Sequence, residues 1–251
     1  MIHASTVTFS DRASAQLFEL QSWSDLSGLP EMAELPQNRP VLVLVGGASR
    51  LSEADFERVR RLFVEGLAAI AQKFQAVVID GGTDTGVMKL MGQARAELNA
   101  TFPLVGVCPK ELATLPNQSA PNQSATSEEA APLEPNHTHF FLVPGDRWGD
   151  EAEWLAKIAS EIASTAPSVA VLINGGEISW KDTAENLNVG RSVVAIAGSG
   201  RTADLLAAAL NEDSDPRAKP LIATGLVRTS KLSDGSAALA QIIEEIFLSR
   251  E

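Results

Sequence analysis

The 251-residue chain has no tyrosine, a single cysteine and three histidines, and each scarcity closes off a class of function. Cys108 cannot form an internal disulfide, and in an apolar run ending in proline it reads as a small buried hydrophobe. His137 and His139 stand two apart at the start of an expected strand, with no cysteine or carboxylate cluster to complete a metal-ligand pattern. No metal site is expected, and hydrogen bonding to the adjoining loop is the role read for the pair. Apolar runs also stay short of the ~20 residues that cross a bilayer, and Met1 to Ser10 lacks a signal peptide's basic start and long apolar core. The expectation is a cytoplasmic chain with no membrane partner. Basic residues number 20 against 32 acids, a net charge of -12 with a pI near 4.8. Such a balance argues against a broad nucleic-acid surface, where Lys and Arg neutralise phosphates. Hydrolytic and phosphate-loop signatures are missing too, with no Gly-x-Ser-x-Gly, no Walker A lysine and no Gly-x-Gly-x-x-Gly in the first strand-helix turn.

What is present is an alternation of short buried strands and amphipathic helices. Val41–Val45, Ala76–Ile79, Pro103–Cys108, Thr138–Val143, Val169–Ile173, Ser192–Ala197 and Leu221–Ala223 read as strands. Phe56, Val59, Phe63, Leu67, Ile70 and Phe74 recur at helical spacing behind a Ser52/Asp55 capping box, and Asp150 opens a helix with Trp154, Leu155, Ile158 and Ile162 inward. Strands that alternate with helices imply an α/β fold, a Rossmann-like, mostly parallel sheet with helices on both faces. One domain is read over residues 39–251. Residues 1–38 read as an N-terminal arm, with an edge strand at Val7–Phe9 and a short helix over Ala13–Leu20. From about 115 to 136 the composition is polar and proline-bearing, with Pro116-Asn117-Gln118-Ser119-Ala120 repeated at once. That stretch reads as a flexible loop able to close over a site.

Four strands end in glycine-bearing turns: Gly46-Gly47, Gly81-Gly82, Gly175-Gly176 and Gly198-Ser199-Gly200. In a parallel sheet these ends share one edge, so the turns are expected around one crevice with helix amino ends facing it. Anions bind at such ends. Backbone N–H groups at Gly47, Ala48, Gly82, Thr83, Gly176, Ser199 and Gly200 are the candidates for holding phosphates and ribose. Thr83, Asp84, Thr85 and Glu177 offer side-chain contacts, Gly81 and Gly86 flank them, and Arg201 would neutralise a phosphate. A cation at a helix's amino end opposes the dipole unless an anion sits beside it. Arg147 could likewise reach a phosphate, and Trp148 either stacks on a base or packs.

Gly81–Lys89, Leu133–Val143 and Gly198–Ala207 closely resemble three signatures of the amino-terminal cytosolic region of melastatin-type TRP channels. The broader class is the SLOG superfamily, and the match runs from about Arg39 to Leu210. No channel segment accompanies it, so the chain resembles a free-standing prokaryotic member of the LSDAT type. That resemblance implies a sensor of nucleotide-derived ligands, ADP-ribose or a related NAD metabolite, with no obligatory cofactor. Signalling in stress or defence would pass through an effector protein encoded elsewhere, and homo-oligomerisation stays open. The related LOG-type (lysine decarboxylase-like) enzymes, phosphoribohydrolases, carry Pro-Gly-Gly-x-Gly-Thr-x-x-Glu. Here the stretch is Asn174-Gly175-Gly176-Glu177-Ile178-Ser179-Trp180-Lys181-Asp182, with Ile178 in place of a glycine and Asp182 in place of the glutamate. As an enzyme the chain would cleave an N-glycosidic bond with Asp182, or Glu177 or Glu185, as the acid. A third branch binds single-stranded DNA, which a chain this acidic and without tyrosine fits poorly.

Overall fold

The computed structural model describes residues 2–10, 13–47, 52–116, 130–210 and 215–249. Among them one nine-stranded sheet carries the fold. Its strands are β1 (His3–Thr8), β2 (Ser14–Glu19), β3 (Val41–Gly46), β4 (Val77–Asp80), β5 (Leu104–Pro109), β8 (His139–Val143), β9 (Ser168–Ile173), β10 (Ser192–Ala197) and β11 (Val227–Lys231). Two short strands, β6 (Ala113–Thr114) and β7 (Ala131–Pro132), pair with each other apart from it. The order across the sheet is β1-β2-β8-β5-β4-β3-β9-β10-β11, parallel throughout except for the antiparallel β1–β2 pair.

Alternate residues of each buried strand feed two cores. Val41, Val43 and Val45 point into one, against α5 (Ala152–Ala163), α6 (Ile178–Asn188), α7 (Arg201–Ala208) and α8 (Ala218–Ile222). Leu42 and Leu44 point into the other, against α4 (Gly86–Glu97), α9 (Gly235–Leu248) and the long helical run of α2 (Glu53–Arg61), a π-helical stretch (Leu62–Ala68) and α3 (Ala69–Phe74). Burial on both faces is why these strands read as unbroken apolar runs. From the central β3–β9 pair the chain builds outward in opposite directions, to β4, β5 and β8 on one side and to β10 and β11 on the other. The crevice of such a sheet lies beyond the carboxyl ends at that reversal.

Three sequence expectations are corrected. Ser14–Glu19 is a strand and not a helix: Ala15, Leu17 and Phe18 are buried, and the free edge of β8 offers parallel partners from Gln16–His139 to Glu19–Leu142. Tertiary pairing outweighs local propensity. The arm is thus part of the sheet, and Trp23 stacks on Trp154 of α5 with 3.8 Å between ring centroids. Leu221, expected in a strand, belongs to α8, and the last strand is Val227–Lys231. Its burial pattern is that of a half-exposed edge, so it carries no apolar run to read. Of the expected loop at about 115–136, residues 117–129 lie outside the described residues, while Leu133 and Glu134 are buried.

Candidate functional site

A hollow of about 380 Å³ opens beyond the carboxyl ends of β3, β4 and β9. Ligand pockets generally enclose ~300–1,000 Å³. Gly46 closes β3, Gly81, Thr83 and Thr85 follow β4, and Gly176, Glu177 and Ile178 follow β9. The amino ends of α4 and α6 both border it, so two positive dipole ends face the same space. Thr85 precedes α4 with extended backbone and makes no side-chain cap, and it too lines the hollow. Trp148, Glu151 and Leu155 form a further wall, Met88 and Ala131 another, and Asp182 reaches in from α6.

Three of the four expected glycine turns therefore meet. The fourth braces the third: Asn174 donates its backbone N–H to Ser199 Oγ and its side-chain amide to Ser199 O, each at 2.7 Å. Thr202 Oγ1 donates to Gly176 O at 2.9 Å. Gly198 donates to Asp204 Oδ1 and borders a separate surface hollow, and Ser199 is fully buried, so Gly198, Ser199 and Gly200 support the site without lining it. Arg201 does approach, since its guanidinium lies 3.1 Å from where a Gly176 side chain would begin.

The remaining candidates divide by packing. Gly46, with φ of +125°, passes so close to the Ile173 carbonyl that no side chain fits, and Gly47 donates to that carbonyl at 3.0 Å. Gly82 is pressed on Gly106 of β5, whose Cα would lie 2.7 Å from an added Cβ. Lack of a side chain there lets the β4 turn pack against β5. Gly175 is turned toward Ser179, and Gly86 begins α4. Asp84 pairs with Lys89 at 3.1 Å. Arg147 projects away, its side chain 86% exposed and near Asp146 at 3.8 Å. Ala48 lies outside the described residues. Among the candidate acids, Glu177 lines the rim but is held by Arg217 at 2.8 Å, and Glu185 is not among the lining residues.

Two carboxyl pairs surround the site. Asp80 and Glu134 sandwich the buried His137, with Nε2 2.9 Å from Asp80 Oδ1 and Nδ1 2.8 Å from Glu134 Oε2. Burial alone would lower the imidazole's pKa, but the two carboxylates outweigh it and hold the value at about 9. The unit fixes the β4 turn: Gly82 N–H donates to Asp80 Oδ1 at 2.8 Å, and Glu134 N–H donates to Gly82 O at 3.0 Å. His139 is separate, its Nε2 donating to Ala33 O at 3.0 Å, with burial pushing its pKa down to about 4. Both histidines are tied by hydrogen bonds, His137 to Glu134 of the adjoining loop and to Asp80, and His139 to Ala33 outside that loop.

The second pair is Glu151 and Asp182. Burial, then the charge of Glu151, raises the Asp182 carboxyl to about 8, partly offset by Lys181. Glu151 is also raised by burial, although its Oε2 accepts the Gly149 N–H at 2.6 Å. Glu151 stands at the amino end of α5, a position where acids are ordinary. Nothing local marks it as lining a site.

The chain is 29% identical over 203 residues to transient receptor potential cation channel subfamily M member-like 2 of Nematostella vectensis, covering 68% of this chain and 13% of that one. It is 29% identical over 184 residues to subfamily M member 2 of Mus musculus, covering 60% of this chain and 12% of the mouse protein. The chain thus spans only a small part of these relatives' length. In fold it is similar to the X-ray structure of TM1055, a structural genomics target, with a TM-score of 0.53 at 19% identity over 83% of this chain and 99% of that one. No helix among the described residues is long and apolar enough to cross a membrane. A family model described as SLOG in TRPM, prokaryote (LSDAT) matches residues 39–241, and with the greater part of its length so matched, the chain belongs to that family.

Proposed function

We propose that the protein binds a nucleotide-derived ligand bearing a diphosphate, ADP-ribose or a related NAD metabolite, in the hollow at the ends of β3, β4 and β9. The observation that carries this reading is the convergence of two helix amino ends and three glycine turns on one space, with the Arg201 guanidinium beside Gly176. Oriented amides and positive dipole ends favour phosphate oxygens, and Thr83, Thr85 and Glu177, which line the hollow, would meet ribose hydroxyls. Binding would be read out by a partner effector.

A second reading has a specific observation in its favour. Asp182, with its pKa near 8, holds a proton at neutral pH and faces the hollow. A protonated carboxyl beside an N-glycosidic bond can act as a general acid, with Glu151 as the ionised partner. Incubating the protein with ADP-ribose, NAD+ and AMP, while following melting temperature and released base, separates the two. A melting shift without product supports binding alone; base release supports hydrolysis; neither effect with any of the three sinks the nucleotide reading. Arg201→Ala is expected to weaken phosphate-bearing ligands about tenfold, the cost of one charge-assisted hydrogen bond.

A further inference from the structure

We propose that the Glu151–Asp182 end of the hollow is a subsite for a cationic heterocycle, a pyridinium-like ring attached to the ribose-phosphate of the guest. The inference rests on the nucleotide reading above and names the chemistry at the guest's far end. Two independent observations carry it.

The first is composition of the wall. Leu44, Val45, Met88 and Leu155 make it apolar, and Trp148 supplies an aromatic face. Among the described residues no lysine or arginine lines the space, while three carboxyls do: Glu177, held by Arg217 at the rim, and the pair Glu151 and Asp182. An apolar slot with an indole and an acid pair suits a flat cation, which gains from the ring quadrupole and from ionic partners once water is displaced. A phosphate would be repelled there. It belongs at the helix amino ends and Arg201, so the two ends of the site select opposite charges.

The second is the protein's own handling of paired acids nearby. Where Asp80 and Glu134 approach each other, His137 stands between them in contact with both. Burial and the charge of Glu151 both act on Asp182, yet the positive charge acting on it is Lys181, which does not line the hollow. A cationic guest would play toward Glu151 and Asp182 the part that His137 plays toward Asp80 and Glu134.

Oxidised and reduced nicotinamide dinucleotides make the test, because they share both phosphates and riboses and differ in the charge of one ring. Calorimetric titration of the whole chain at pH 7 is expected to show NAD+ bound about tenfold more tightly than NADH. Raising the pH to 9 ionises Asp182, opposed by Glu151 on the α5 side and Glu185 on α6 and favoured by Lys181, with the Glu177–Arg217 pair and Arg201 nearby. The ratio should widen. Replacing both acids, Glu151→Gln with Asp182→Asn, should bring the ratio toward one. Equal affinity for the two dinucleotides, or binding of neither, alongside ADP-ribose binding overturns this inference and leaves the function intact. A ratio that survives the double substitution places the charged ring elsewhere and also overturns it. Failure of all three ligands to bind overturns the nucleotide reading itself.

Discussion

The two acid pairs differ in what neutralises them. Asp80 and Glu134 are sealed in the interior around an imidazole, and Asn136 adds donors from its backbone N–H at 2.9 Å and its side-chain amide at 2.6 Å to Glu134. Glu151 and Asp182 border an open hollow. In the closed pair the protein supplies the counter-charge, so the carboxylates can serve architecture, fixing the turn that follows β4. In the open pair burial is answered instead by raised carboxyl pKa values. A fold that supplies a counter-charge to one pair can leave its neighbour responsive to a guest. The physical difference is access, since both sets of carboxyls are carried by well-packed elements.

Breaking the closed pair should have the largest effect. His137→Leu leaves two buried carboxylates without a cation and should lower unfolding free energy by about 3–5 kcal/mol in urea denaturation. A loss below about 1 kcal/mol would remove the imidazole's structural role. Titration should expose the same unit more gently. The folded pKa of His137 lies above its unfolded value of 6.5, so its contribution is full below pH 6.5 and disappears as pH rises through about 9. The loss is on the order of 3 kcal/mol, at about 1.4 per pKa unit. Melting temperatures recorded from pH 6 to 10 should fall accordingly, and the His137→Leu variant should lose that component of the fall.

Gly82→Ala attacks the turn that the closed pair anchors. A methyl there meets Gly106 Cα at φ of +71°, and a loss of about 1–3 kcal/mol is expected by thermal melting. The open pair should behave in the opposite sense. Asp182 is an acid with a raised folded pKa, so its ionisation costs stability from above the unfolded value of 3.8 and costs most above about 8. Asp182→Asn should therefore melt a few degrees higher than the wild type at pH 9 and near its value at pH 5. A variant less stable at pH 9 would mean that the carboxylate is already compensated.

Much of the fold was legible because burial on both faces writes itself into sequence as apolar runs. Val41–Val45, Val77–Ile79, Leu104–Cys108 and Val169–Ile173 needed no partner to be recognised. Two strands toward the margins of the sheet were not legible. Ser14–Glu19 and Val227–Lys231 are half exposed, and what makes them strands is the neighbouring edge they pair with. At the site, Gly46, Gly81, Thr83, Thr85, Gly176 and Glu177 were found as turn residues and do border the hollow. Glu151, Met88 and Ala131 were missed, since an acid in a first helical turn or a methionine on a helix face carries no local mark of facing a cavity.

Composition, strand order along the chain and the three family signatures come from covalent order alone, and they are enough to identify a Rossmann-like member of its family. Which glycines face open space and which merely let backbones pass was decided by packing: Gly176 borders the hollow, while Gly82 presses on Gly106. The same holds for charge. His137 meets Asp80 across 57 residues of chain, and Glu151 meets Asp182 from different helical segments. Local propensity and periodicity act over a few residues, whereas neutralisation of a buried charge depends on whatever the finished sheet brings beside it.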